Sequence, residues 1–115
     1  MKPLIFVADS RRVLREFPKA VQQHIGFALY QAQMGDKHAD AKPLKNIGAG
    51  VLEVVSDHRG NAFRTVYTVK LAKAVYVLHA FQKKSKRGIA TPKSVMDLVK
   101  QRLERASEID RELEN

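Results

Sequence analysis

Three short runs rich in Val, Tyr, Phe and Thr occupy residues 51–56, 62–70 and 74–82, and they constrain the fold more than any other feature of the chain. Brief turn material separates them: Asp57-His58-Arg59-Gly60-Asn61, then Leu71-Ala72-Lys73. β-Branched and aromatic side chains suit a pleated, half-buried surface. Connections this short join antiparallel neighbours, because a parallel crossover needs a dozen residues or more. The pattern predicts a three-stranded antiparallel meander. Alternation is legible in the middle run, where Phe63, Thr65, Tyr67 and Val69 share one face and Arg64, Val66, Thr68 and Lys70 the other.

The flanks read differently. Residues 4–8 form a short apolar run and predict a strand. Asp9 or Ser10 then caps a helix through Arg11, Arg12, Val13, Leu14, Arg15 and Phe17, which Pro18 interrupts. Val21, Ile25, Ala28, Leu29 and Ala32 recur at helical spacing and predict a second helix over 19–34, so the two make a helical hairpin. Residues 35–46 read as a polar connection. After a loop over 83–90, Thr91 is a candidate N-cap with Pro92 at the first helical position. A long stripe follows: Val95, Leu98, Val99, Leu103, Ala106, Ile109 and Leu113, interrupted by Arg102. Beyond Ala106 the sequence turns acidic, and this end is expected to project from the body. The order is β-α-α-β-β-β-α, an α+β fold in one domain spanning residues 1–115.

The charge is uneven. The chain carries +9, but residues 104–115 carry −3, which leaves +12 on residues 1–103. A body this basic suits a polyanion, nucleic acid first and an anionic membrane surface second; a solvated basic surface without a ligand is the plain alternative. There are no cysteines, which excludes disulfides and Cys-based zinc sites. The histidines, His24, His38, His58 and His79, show no metal-ligand spacing. No glycine-rich phosphate loop or nucleophile elbow occurs. No run reads as a signal sequence or membrane span, and a cytoplasmic protein is expected.

The sharpest chemical feature is Phe81-Gln82-Lys83-Lys84-Ser85-Lys86-Arg87, with four basic residues in seven. It leaves the last predicted strand at a defined place and could neutralise phosphates along an RNA backbone. Arg64 could clamp a phosphate bidentately, or pair across the sheet with Glu53, or both. His58 and Arg59 fall in the first hairpin turn; a turn histidine is a candidate general acid or base but is more often simply exposed. His79, Tyr67 and Tyr76 read as sheet or core residues. Arg11, Arg12 and Arg15 read as a solvent face.

Residues 74–106 resemble the C-terminal half of the phage Gp49-like branch of the RelE/HigB toxin superfamily. The matching elements are a strand ending in Leu78-His79-Ala80-Phe81, then Lys83-Lys84, a polar loop, Thr91-Pro92 and a helix. Upstream, Leu44-Lys45, Leu52-Glu53-Val54 and Phe63-Arg64-Thr65-Val66-Tyr67 resemble the same family's segments. The resemblance implies a RelE-like, barnase-like fold and cleavage of mRNA, commonly on the ribosome. The attacking group would be the RNA's own 2′-hydroxyl, with no metal and no cofactor. The implied partner is a helix-turn-helix antitoxin. Arg64, Lys83 and Lys84 would be catalytic, with Arg59, Lys86, Arg87 and His58 contacting RNA. The chain departs from the family at Val55, where an Arg is common, and lacks the His-Tyr pair that some relatives carry near the C-terminus. Two other readings stay open: a non-catalytic RNA- or ribosome-binding inhibitor of translation, and a structural protein of a phage remnant.

Overall fold

In the computed structural model, which describes residues 1–83 and 91–114, a five-stranded sheet is flanked by helices on both faces. The elements are β1 (Leu4–Phe6), α1 (Ser10–Arg15), α2 (Lys19–Gln33), β2 (Ala41–Pro43), β3 (Val51–His58), β4 (Asn61–Thr68), β5 (Val75–Lys83) and α3 (Lys93–Glu114). The strand order is β1-β5-β4-β3-β2. β3, β4 and β5 are the expected meander. β1 pairs in parallel with β5, Leu4 against Val75, which the intervening crossover of helices and strands permits. β2 pairs antiparallel with β3, Ala41 against Val54. None of the described helices is long and apolar enough to cross a membrane.

Each sheet face has its own core. Leu52, Val54, Phe63, Tyr67, Val75 and Val77 pack against Val21, Ile25, Ala28, Leu29 and Ala32, the stripe of α2. Val51, Val66, Tyr76 and Leu78 pack against Val99 and Ala106 of α3. Tyr67 and Tyr76 are fully buried, and burial pushes the Tyr67 hydroxyl up to about 12.

Four expectations are corrected. The first concerns the polar connection: part of it is the edge strand β2, whose Lys42 and Pro43 hide its strand character while suiting a sheet edge. Second, the first hairpin turn contracts to two residues, Arg59 (φ 50°) and Gly60 (φ 81°), and His58 pairs with Asn61. Two successive positive φ values suit the right-handed twist of the flanking strands. Third, Asp9 makes no side-chain cap to α1; its carboxylate meets Arg102 and Arg12 instead. α3 likewise starts at Lys93, with the N–H groups of Val95 and Met96 donating to the Pro92 carbonyl.

The last correction concerns the acidic end of α3, which does not leave the body at Ala106. Asp110 is buried and accepts from the N–H of Ala72 (3.2 Å), the N–H of Lys73 (2.9 Å) and the Tyr76 hydroxyl (2.8 Å). Burial alone would raise its pKa, but these donors and the Lys73 charge hold it below the usual carboxylate range. The helix therefore clamps the β4–β5 turn from the opposite side.

One glycine is dictated by close approach. Gly50 has φ +79°, and a Cβ built on it would lie 2.6 Å from the Cβ of Lys70. Gly50→Ala is expected to destabilise the chain by at least about 2 kcal/mol, from the left-handed backbone and the clash together, read as a lower urea midpoint.

Candidate functional site

The register of the meander decides which side chains share a surface. Val55, Arg64 and Phe81 form one cross-strand row on the α3 face. Glu53, Val66 and His79 form the next row toward the middle of the sheet, and Asp57, Ala62 and Lys83 the next toward its end. Arg64 thus lies on the face opposite Phe63 and Tyr67, as the alternation predicts. Lys83 is its diagonal neighbour on β5, a separation of roughly 7–8 Å between such Cα positions.

Arg64 is held from below. Its Nη1 donates to Glu53 Oε1 at 2.8 Å, and both side chains are nearly buried, 13% and 11% exposed. The pair is diagonal, since Glu53 faces Val66 and Arg64 faces Val55. A charged pair taken this far from water is costly unless its remaining polar atoms are satisfied. Here they are not: among the described residues, Glu53 Oε2 and Arg64 Nε are buried without a hydrogen-bond partner. A nearly buried ion pair with open hydrogen-bonding capacity at the edge of a hollow is a candidate functional site as well as a brace across the sheet.

The hollow is a groove of about 380 Å³ lined by Pro43, Leu44, Lys45, Asn46, Glu53, Arg64, Thr91 and Met96. Four elements meet there: the end of β2, the connection after it, the β3–β4 pair and the start of α3. A larger hollow of about 570 Å³ opens near the α2 C-terminus among Met1, Ala32, Met34, Leu52 and Val69. Among the described residues it has no buried ionic pair, so the smaller groove is the better candidate.

A second charged network supports the groove from α3. Arg102 donates to the Leu78 carbonyl (3.0 Å) and to His79 Nδ1 (3.1 Å), and pairs with Asp9 Oδ1 (2.8 Å). Leu78 is the extra residue of a bulge, because the register passes from Val66–His79 to Tyr67–Val77. Burial, then the neighbouring Arg102 charge, lowers the His79 pKa, and Asp9 offsets this in part. Burial acts to raise the Asp9 pKa, but Arg102, Arg12 and His79 more than offset it and keep Asp9 ionised. His79 stacks on Phe81 at 5.1 Å, and Phe81 stands beside Arg64 across the strands. The polar interruption in the α3 stripe is thus a bracket that fixes β5 behind the groove.

The sequence-predicted residues divide. Arg64 and Lys83 come to one face. Arg59 is exposed at the hairpin tip. His58 follows Ser56 in alternation, which puts it on the α2 side of the sheet, away from the row of Arg64. Lys84, Lys86 and Arg87 lie outside the described residues. The groove adds Lys45, which sequence reading singled out only within a family segment. Glu53 was foreseen as a partner of Arg64, but not as a half-satisfied carboxylate beside an open groove. Arg11, Arg12 and Arg15 are exposed, and Arg12 is tied to Asp9 and Glu16.

No curated protein and no solved structure gives a significant match to this chain. Residues 12–104 match the family described as phage-derived protein Gp49-like. The match contains α2, the whole meander, both members of the Glu53–Arg64 pair and just over half of α3. The chain belongs to this Gp49-like family, the phage-derived, toxin–antitoxin-like branch of the RelE/HigB group.

Proposed function

We propose that this chain is the toxin of a type II toxin–antitoxin pair, a RelE-like endoribonuclease that cuts mRNA and so stops translation. The observation that carries the reading is the Arg64 guanidinium, braced by Glu53 at 2.8 Å in a groove that adjoins a basic strand end. Glu53 engages Nη1 and so orients the side chain; with Nε buried, Nη2 is the donor left for a phosphate oxygen.

In the reaction the 2′-hydroxyl of one nucleotide attacks its own 3′-phosphate. The P–O5′ bond breaks, leaving a 2′,3′-cyclic phosphate on one fragment and a 5′-hydroxyl on the other. Negative charge grows on the non-bridging oxygens and on the departing 5′-oxygen. Arg64, Lys83 and Lys84 stabilise it electrostatically, and the low dielectric of the groove makes the Arg64 contact worth more than in water. Lys45, Arg59, Lys86 and Arg87 hold flanking phosphates, while His58, on the other face of the sheet, takes no part, and the +12 body gathers the polyanion. The partners are mRNA, the ribosome that presents it, and a helix-turn-helix antitoxin, all in the cytoplasm.

One observation favours a second reading. Val55, where an Arg is common in the family, lies directly opposite Arg64 on β3. The face has one cation fewer, which suits a binder that blocks translation without cutting. Expression without an antitoxin separates the two. The nuclease reading expects growth arrest with transcripts ending in a cyclic phosphate, and a 2′-deoxy substitution at the cut position should abolish cleavage. Arrest with full-length transcripts supports the binder.

A further inference from the structure

On the opposite side of the sheet, α2 and the connection to β2 bring together residues that sequence spacing keeps apart. The ligand atoms of His24, His38 and Asp40 lie within 4.8 Å of one another. We propose that these three residues bind one divalent transition-metal cation of the zinc type. The proposal is independent of the nuclease reading, since none of the three belongs to the Arg64 groove.

Three features of the cluster support it. First, His24 Nε2 lies 2.7 Å from Asp40 Oδ2. A ring nitrogen and a carboxylate oxygen this close need a positive atom between or beside them, either a proton or a metal ion. Second, the other nitrogen of His24 is anchored: Nδ1 lies 2.7 Å from the hydroxyl of buried Ser56. An outer hydrogen bond of this kind fixes the tautomer and ring angle of a ligating histidine. Third, the His38 ring is held edge-on by His24 (5.3 Å) and Phe27 (5.7 Å), and its Nδ1 stands 3.9 Å from Asp40 Oδ2.

The Asp40–His24–Ser56 chain also has the connectivity of a nucleophilic triad, and this reading fails. The ring is reversed, with Nδ1 toward the hydroxyl. Ser56 is 3% exposed, so no substrate reaches it.

Metal geometry is within small movements. Tetrahedral zinc with bonds near 2.0–2.1 Å separates its ligand atoms by about 3.3 Å. The 2.7 Å contact must open and the 3.9 Å contact must close, each by roughly half an ångström. Both of these adjustments fall on Asp40, which is 55% exposed, and the His24–His38 edge, within 4.8 Å, closes toward the same separation by rotation of the His38 ring. Coordination through His38 Nδ1 would replace the hydrogen bond that this atom accepts from the Asp40 N–H. Two imidazoles and one carboxylate favour zinc, cobalt or nickel over magnesium or calcium. Three protein ligands leave the fourth position to water. The ion would tie α2 to the segment entering β2, a three-residue edge strand.

The test uses the full chain, stripped with a chelator and titrated with ZnCl₂ by calorimetry and with Co²⁺ by visible absorption. The expected result is one ion per chain, intense tetrahedral-type Co²⁺ bands and a raised thermal midpoint. His24→Gln, His38→Gln and Asp40→Asn should each weaken Zn²⁺ binding at least about tenfold, and His58→Gln should leave it unchanged. Ser56→Ala, which touches no metal, should weaken binding by a factor of about ten as well. Absence of Zn²⁺ uptake by the unmodified chain, or uptake unaffected by His24→Gln and His38→Gln, would overturn the proposal. The Co²⁺ spectrum of the unmodified chain decides even where a variant fails to fold.

Discussion

Arg64→Lys is expected to abolish growth arrest and to lower the cleavage rate by about 100-fold or more, with the fold intact. Lysine keeps a positive charge beside Glu53, so the buried pair survives. What it loses is the planar fork that can hold one donor on Glu53 and offer others to phosphate. Alanine is the poorer probe here. Arg64→Ala strands the Glu53 carboxylate, 11% exposed, without its partner, at a cost of about 3–5 kcal/mol. Loss of activity in that variant would then report unfolding as much as chemistry. The double variant Glu53→Ala/Arg64→Ala removes both charges and should recover most of the lost stability while staying inactive. Chemical denaturation beside a cleavage assay separates the two effects. Arg64→Lys with full activity would remove Arg64 from the mechanism.

The second large effect is on stability. Asp110→Ala is expected to cost about 3–5 kcal/mol, because it leaves the Ala72 and Lys73 N–H groups and the Tyr76 hydroxyl without their acceptor. Against a typical total of about 5–15 kcal/mol, that is enough to unfold a substantial share of the molecules. The carboxylate also sets a pH dependence whose sign is fixed. Its pKa is lower in the folded chain than the ordinary value of about 3.9, so the unfolded chain binds the proton more readily. The stability it contributes is present above that ordinary value and is lost as pH falls through the lower folded one. Urea midpoints measured from pH 7 down to pH 3 should fall at the acid end. The fall should be shallower in Asp110→Asn, which is uncharged. An Asp110→Ala protein as stable as the original would mean that α3 is held by its apolar stripe alone.

Much of the framework was legible because local pattern and tertiary need agree. The five α2 positions spaced for one face are the five that are buried. The meander was marked by β-branched runs, and the alternation around Arg64 put it on the correct side of the sheet. What sequence could not show depends on residues that meet only in space. β2 is three residues long, and its sequence, Ala-Lys-Pro, carries no alternation. Asp110 sits in a stretch whose net charge reads as solvated, yet the turn it caps lies 37 and 38 residues away. His24 and Asp40 are 16 residues apart and His24 and Ser56 are 32 apart, so no ligand spacing announces the cluster. His58 was placed by its turn, whereas the two-residue turn and strict alternation carry it to the other face. Arg102 looked like a flaw in a stripe, and it is the bracket between α3, β5 and Asp9.

Cutting of mRNA at the Arg64 face, as proposed above, leaves new transcript ends that can be read directly. The most direct test is to map 5′ ends by primer extension on one translated transcript, after brief induction of the original chain or of Arg64→Lys at matched protein levels. New 5′ ends inside the coding region are expected for the original chain and none for Arg64→Lys. Full-length transcripts in both, or the same ends in both, would contradict that proposal.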